Sequence, residues 1–291
     1  MKILFLSIAN LPDYLCDMAF HGLVSAGHEV TDANKLTFMY SSYPESAKAS
    51  LYGRGYSIYG KLPDSPVNRS DINERIRSKH FDFVIYGNVR RYTERLDVVT
   101  DCYEQNSILL LDGEDDCSLK ATAKGVYFKR ELVYPTTERL RPISFAIPED
   151  CIRPSSELCK IQLLATCDPR NRVSYIFPNE NEYYEAYSRS YWAFTSKKDG
   201  WDCLRHYEIL AAGCLPYFPG IEDCPETTMC SFPKSLTKIS NELFLKASQS
   251  NAPYSSWVES YNQLLQKMMS HVREHCTTTA LANQLLGAEA L

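Results

Sequence analysis

Arg205 and Glu208 stand three residues apart in the stretch DGWDCLRHYEILAAGCLPYFPG, residues 199–220. On a helix, that spacing places both side chains on one face. A guanidinium is a bidentate clamp for phosphate, and a helix N-terminus itself favours anions. A carboxylate presents two acceptor oxygens, which match the paired hydroxyls of a ribose. A cation for phosphate and a carboxylate for a sugar diol, one turn apart, suit a nucleotide-sugar site. The plain alternative is an i,i+3 ion pair on a solvated helix face. Cys203, Tyr207, Leu210 and Ala211 share the apolar face of this helix, and Asp199 or Asp202 is placed to cap its start. Ala211, Ala212 and Gly213 keep its end slim where a ligand or strand comes close.

Further cations and acids lie at the ends of apolar runs. TCDPRNR puts Arg170 and Arg172 just after an apolar run, at the lip of an expected cleft. KGVYFKREL offers Lys129 and Arg130, within reach of the same phosphates from the other side. Trp201 is placed to stack on a sugar or base, or to pack beside the helix. Asp13, Asp17 and His21 follow the first apolar run, and LLLDGEDDC supplies Asp112, Glu114, Asp115 and Asp116 after a later one. A general base for an acceptor hydroxyl is sought among Asp13, Asp112, Glu114 and His21. His271 and His275 are spaced i,i+4 without a third ligand, so a solvated helix face is the expectation. No GxSxG element and no phosphate-binding P-loop occurs, so hydrolase and kinase readings lack support.

The elements that must position these groups follow an α/β rhythm. KILFLSI is a short apolar run of the buried parallel-strand type. DYLCDMAFHGLVSAGHEV reads as a helix closing on Gly27, and HEVTDA as the next strand, giving a βαβ unit. The loop after the first strand lacks GxGxxG, so a nicotinamide fingerprint is missing. Residues 35–70 are rich in Tyr, Ser, Pro and Gly and read as a surface insertion or a flap over an acceptor. SDINERIRSKH carries a capping-box pattern before Glu74 and leads into DFVIYGN as a strand. RYTERLDVVTDCYEQN reads as a helix and SILLLDGEDD as a strand with an acidic loop.

Pro142, Pro148 and Pro154 mark an interdomain linker. Beyond it the pattern restarts: KIQLLATC strand, ENEYYEAYSRS helix, YWAFTS strand, the Arg205–Glu208 helix, CLPYFPG strand, and one final helix from about Ser255 to Leu286. The expected fold is α/β with two facing Rossmann-like domains, 1–150 on the acceptor side and 151–291 on the donor side, the final helix packing back on the first.

The 291 residues are 44% hydrophobic and 23% charged, ordinary for a globular chain of one or two domains. A net charge of -5 argues against nucleic acid as a main partner. The 11 cysteines are scattered and form no CxxC pair, so zinc spacing is missing and a reducing cytoplasm is expected. The apolar opening is too short for a signal peptide, and no run is long enough to span a bilayer.

RHYEILAAGCLPYF resembles the R-x-x-E-a-l-x-x-G-c-x-P-v element in the donor domain of GT-B glycosyltransferases, closest to the exostosin-like branch and shared in part by CgeB-like and family-1-type enzymes. The resemblance implies that Glu208 contacts the nucleotide ribose, that Arg205 contacts the diphosphate, and that a basic residue at Arg170 or Arg172 meets the leaving group. It implies a glycosyltransferase with a nucleotide-sugar co-substrate, a glycan, glycoprotein or glycolipid acceptor, and no metal or other cofactor. Retaining members commonly carry an acidic residue eight positions before this Glu; here that position is Gly200, which leans towards inversion. Two rivals stand. A GT-A-like enzyme would hold Mn²⁺ or Mg²⁺ on the DGEDD turn, and a GT-B-shaped binding module would have lost its base.

Overall fold

The computed structural model describes residues 1–121, 124–154, 159–175, 177–249 and 253–287. Strands β1 (Lys2–Leu6), β2 (Glu29–Asp32), β3 (Phe83–Tyr86), β4 (Ile108–Asp112), β5 (Val126–Lys129) and β6 (Leu140–Pro142) form one sheet in the order β2-β1-β3-β4-β5-β6. Every pair in it is parallel. A parallel sheet needs cover on both faces, and side chains alternate between them. Ile3 and Phe5 accordingly pack with α1 (Tyr14–Ser25) on one face. Leu4 and Leu6 pack on the other with Ile72 and Ile76 of α3 (Ile72–Arg77) and Val99 of α4 (Leu96–Cys102). The strand order reverses between β1 and β3, the place where open α/β sheets form a crevice.

The second sheet is smaller. β7 (Gln162–Leu164), β8 (Ser190–Phe194) and β9 (Leu215–Tyr217) lie in parallel in that order. α5 (Glu180–Ser188) connects β7 to β8, and α6 (Leu204–Ala211) connects β8 to β9. Helices α7 (Lys234–Ala247), α8 (Val258–His275) and α9 (Thr278–Leu286) follow. The two-sheet α/β architecture expected from the sequence is therefore present, and α9 returns to pack on α1 of the first half.

One apolar cluster runs from the α1 face of the first sheet through to Trp192, Leu215 and Tyr261 of the second half. Polar contacts reinforce this seam. Thr227 and Thr228 donate to the carbonyl of Leu132 at 2.5 and 2.8 Å, and the amide of Ser231 donates to the hydroxyl of Ser144 at 3.1 Å.

Several local expectations are corrected. Residues 35–70 are not a surface insertion: Phe38, Met39, Tyr40, Ile58, Tyr59 and Leu62 are buried. A short helix, α2 (Glu45–Lys48), and tight left-handed turns fold the segment into the core on the α1 side. The capping box before Glu74 does not form, because Asp71 is left-handed at φ 53° and makes no side-chain cap. The single final helix is two helices. Cys276 and Thr277 break it, the Thr277 hydroxyl accepts the amide of Ala280 to start α9, and the backbone there pairs with Ile147 of the linker. Strands β5 and β6 extend the first sheet beyond the elements the sequence pattern suggested.

The α1–α9 contact leaves no room for a side chain at Gly22, where an added Cβ would lie 1.8 Å from the carbonyl oxygen of Thr278. Backbone cannot yield as a flexible side chain does, so Gly22→Ala must separate the two helices. Overpacking of this kind costs about 1–3 kcal/mol. A melting temperature lowered by several degrees is expected; an unchanged value would show that α9 is not seated on α1.

Candidate functional site

A cavity of about 780 Å³ opens between the two halves of the chain. Tyr14, Gly53, Arg54 and Tyr56 line it from the first half. Tyr175, Phe177, Tyr183, Lys198, Asp199, Cys203, Arg205 and Glu208 line it from the second. Arg205 and Glu208, paired by spacing in the sequence, thus share one cavity.

They do not pair with each other. Nη1 of Arg205 is buried and has no hydrogen-bond partner among the described residues. Glu208 accepts the Ser57 hydroxyl on Oε1 at 2.6 Å and the Tyr183 hydroxyl on Oε2 at 2.7 Å. The solvated ion pair is therefore not what the helix carries: Arg205 is 8% exposed and Glu208 7%. Burial raises the Glu208 pKa, while the Ser57 and Tyr183 hydroxyls and the nearby guanidinium pull it back. Burial works against the charge of Arg205, yet Cys203 and the Tyr175, Tyr187 and Tyr183 hydroxyls raise its pKa above the ordinary value. Its guanidinium also lies 5.6 Å from the ring centroid of Tyr175, whose own buried hydroxyl meets no hydrogen-bond partner within normal geometry among the described residues. A desolvated, unpaired cation is costly in an empty protein and is suited to an anion that enters.

α6 begins at Cys203 with no side-chain cap, so neither Asp199 nor Asp202 caps it. Uncapped first-turn amides are anion donors, and Cys203, Leu204 and Arg205 at this end all line the cavity. Asp199 stays at the cavity wall. Asp202 turns away: Oδ2 accepts the amide of Phe145 at 2.7 Å and Oδ1 accepts the Tyr207 hydroxyl at 2.9 Å. Burial pushes its pKa up to about 6 against the pull of Arg130. Trp201 packs beside the helix, 6.3 Å from Phe218 with Lys197 over its ring, and does not line the cavity.

The other expected phosphate ligands are engaged elsewhere. Nζ of Lys129, fully buried, donates to Asp112 at 3.0 Å and to the carbonyl of Glu114 at 3.1 Å. Arg130 donates to the carbonyls of Gly113 and Asp202 and to Asp115 and Glu131. Both hold the acidic turn in place instead of reaching the cavity. Arg170 is exposed, forks onto Asp168, and lies over the Phe194 ring at 4.0 Å. The side chain of Arg172 lies outside the described residues.

None of the four expected bases lines the cavity. Asp13 caps α1 through Cys16 and accepts from Asn88 at 2.7 Å. Asp112 is fully buried between Lys129 and the Tyr127 hydroxyl. Glu114 is tied to Arg91 at 2.6 Å and to Asn88 at 3.0 Å, which hold its carboxyl below the usual range against the effect of burial. His21 bonds Thr278 at 2.9 Å in the α1–α9 contact, and burial lowers its pKa to about 4, so it is neutral. Each carboxylate of the DGEDD turn thus meets a cation, with Asp115 on Arg130 and Asp116 on Arg90. Among the described residues no group of three His, Cys, Asp or Glu is arranged to hold a metal.

Gly200 has a steric reason. A Cβ there would lie 2.6 Å from the Glu131 carboxylate and 3.0 Å from that of Asp115. Glu131 in turn accepts the amides of Trp201 and Asp202 at 3.0 and 2.9 Å.

Sequence reasoning did not single out Tyr14, Arg54, Tyr175, Tyr183 or Lys198 as cavity residues; Tyr56 lay in segment 35–70, one reading of which was a flap over an acceptor. A signal existed for Arg54 and Tyr183. Tyr183, Tyr184 and Tyr187 fall at helical spacing in a charged segment, which marks a buried face, and Gly53-Arg54-Gly55 is a composition for left-handed turns.

No family model matches the chain, and no curated protein matches it. Among solved structures, an alpha-glucosyltransferase in complex with UDP and a 13-mer DNA containing a central A:G mismatch aligns over 99% of both chains, at 11% identity and a TM-score of 0.49. MurG of Acinetobacter baumannii aligns over 100% of this chain and 99% of its own, at 11% identity and a TM-score of 0.41. The calicheamicin glycosyltransferase CalG4 aligns over the same shares at 10% identity and a TM-score of 0.39. At such identities and scores these likenesses assign no substrate to the chain and no role to any residue.

Proposed function

We propose that the protein is a GT-B-type glycosyltransferase that moves a sugar from a nucleotide-diphosphate sugar to a hydroxyl of a glycan, glycoprotein or glycolipid, with inversion and without a metal. The observation that carries the reading is the buried Nη1 of Arg205, without a hydrogen-bond partner among the described residues, on a side chain that faces the same cavity as the Glu208 carboxylate. Residues 151–291 supply the donor side and 1–150 the acceptor side. Arg205 and the uncapped start of α6 neutralise the diphosphate, and Arg54 and Lys198 add charge along the wall. The rings of Tyr56, Tyr175 and Phe177 give the base flat apolar surface. Glu208 accepts from the ribose. The exostosin-like element supports this assignment of Arg205 and Glu208, and the net charge of -5 stands against a nucleic-acid acceptor.

As the glycosidic bond breaks, the leaving diphosphate gains charge, so a fixed cation acts most strongly in the transition state. The acceptor hydroxyl must lose its proton. Asp199 is the second carboxylate on the cavity wall beside Glu208 and is exposed, so we assign it the proton. A chain with its cysteines free and no helix among the described residues long and apolar enough to cross a membrane fits a reaction in the cytoplasm.

Arg205→Met is expected to leave the chain folded while weakening nucleoside-diphosphate binding tenfold or more; a hydrogen bond to a charged group contributes about 1.5–3 kcal/mol. Glu208→Gln should weaken binding by a similar factor. Calorimetric titration with UDP, GDP and dTDP, paired with melting curves, reads both, and wild-type binding in the two variants would end the assignment.

Asp199→Asn should lower kcat by about 10²–10⁴-fold with nucleotide binding kept, as removal of a general base does. Loss of binding with kcat preserved would remove Asp199 from that role.

Sugar transfer and donor binding should persist in excess EDTA. Activity lost on chelation and restored by Mn²⁺ would move the chemistry to a metal-dependent site.

A further inference from the structure

Ser57 belongs to the first half, yet its hydroxyl donates to Oε1 of Glu208 across the cleft at 2.6 Å. Oε2 is held from the other side by Tyr183 of α5 at 2.7 Å. One donor on each oxygen fixes the plane of the carboxylate as well as its position. A carboxylate has about four lone-pair sites, so two remain for a ligand, and Glu208 lines the cavity.

Ser57 is itself held firmly. Its amide donates to Glu180 at 3.1 Å, its hydroxyl lies 2.9 Å from that of Tyr184, and its carbonyl accepts from the Cys151 thiol at 3.3 Å. It is completely buried and left-handed at φ 74°. A serine in that conformation is strained where a glycine would not be, and such strain persists only where the surroundings over-determine it. What glycine cannot supply is the hydroxyl, and the hydroxyl meets the carboxylate that faces the cavity.

We propose that Ser57 is a positioning residue for Glu208: it completes the pentose-reading carboxylate across the cleft and sets a preference for ribose over 2-deoxyribose in the bound nucleoside diphosphate. The proposal rests on the assignment of Glu208 to the ribose made above. A carboxylate fixed at both oxygens meets two neighbouring hydroxyls at once. Without Ser57 it pivots about the Tyr183 bond, and one of the two contacts is lost. A deoxynucleotide lacks one hydroxyl from the outset and has little to lose.

The test titrates UDP, 2′-deoxy-UDP, GDP and 2′-deoxy-GDP against wild type, Ser57→Ala and Ser57→Gly. Wild type should favour the ribose member of the bound pair by about tenfold or more. Both variants should lose most of that ratio through weaker ribonucleotide binding, with the deoxynucleotide changed by less than about twofold. Ser57→Gly separates the hydroxyl from the backbone: relief of the left-handed strain offsets part of the lost hydrogen bond, so the melting temperature should fall less than in Ser57→Ala while the preference still collapses. An unchanged ratio in both variants, or ribo- and deoxynucleotide weakening in parallel, overturns the proposal, since a merely structural serine gives those results. A wild type that binds nucleotide without a ribose preference, or binds none, removes the role of Glu208 itself and the proposal with it.

Discussion

A guanidinium taken out of water must set its N–H groups against acceptors or bear a cost of several kcal/mol. Arg130 is 1% exposed, and its acceptors come from both halves of the chain. From the first it draws Gly113, Asp115 and Glu131; from the second, the carbonyl of Asp202. Burial opposes its charge, but Asp202, Glu131 and Asp115 raise its pKa above the ordinary value. Because Asp202 directly precedes the start of α6, this side chain helps to fix the position of that helix relative to the first sheet. Glu131 adds to it by taking the amides of Trp201 and Asp202, and the space it needs keeps residue 200 a glycine. The cavity inherits its shape from this junction.

Against that rigid seam, the cavity wall holds groups with unmet demands. Arg205 has an orphaned nitrogen and Tyr175 an orphaned hydroxyl, while the tyrosines around Glu208 stay neutral because burial raises the pKa of Tyr183, Tyr184 and Tyr187. Neutral hydroxyls can donate to a carboxylate without competing for its charge. A fold optimised only for stability would have closed these gaps with apolar groups. Two of the five such groups among the described residues, on Arg205 and Tyr175, line the one cavity.

Most of the strands β1 to β4 and β7 to β9 were legible because they are short apolar runs with turn formers beside them; β2, EVTD, was legible from its place after the α1 helix. Arg205 and Glu208 were legible for a related reason: helical spacing is local, so two side chains on one turn can be placed without knowing the rest. Lys129 and Arg130 misled because a charged side chain in a sequence reads as facing ligand or water, whereas here each is buried against acids distant in the chain. Ser57 was illegible, since its partner lies 151 residues away and only the folded cleft brings them together. The α8–α9 break was hidden by an amphipathic pattern that continues through it; Thr277, a capping residue, was its one local mark. Asp13 read as a base and proved to be a cap, a role equally open to any aspartate before a helix.

The seat of α9 on α1 bears on how the chain is made. Gly22 and Thr278 touch, yet they are almost a full chain length apart. At translation rates of about 5–20 residues per second, the α1 surface waits tens of seconds for its cover to leave the ribosome. Throughout that interval the nascent first half presents an apolar face with no native partner, which invites chaperone binding or aggregation. Assembly of its final packing is thus deferred until α9 has been made, whatever the intrinsic speed at which the first sheet forms.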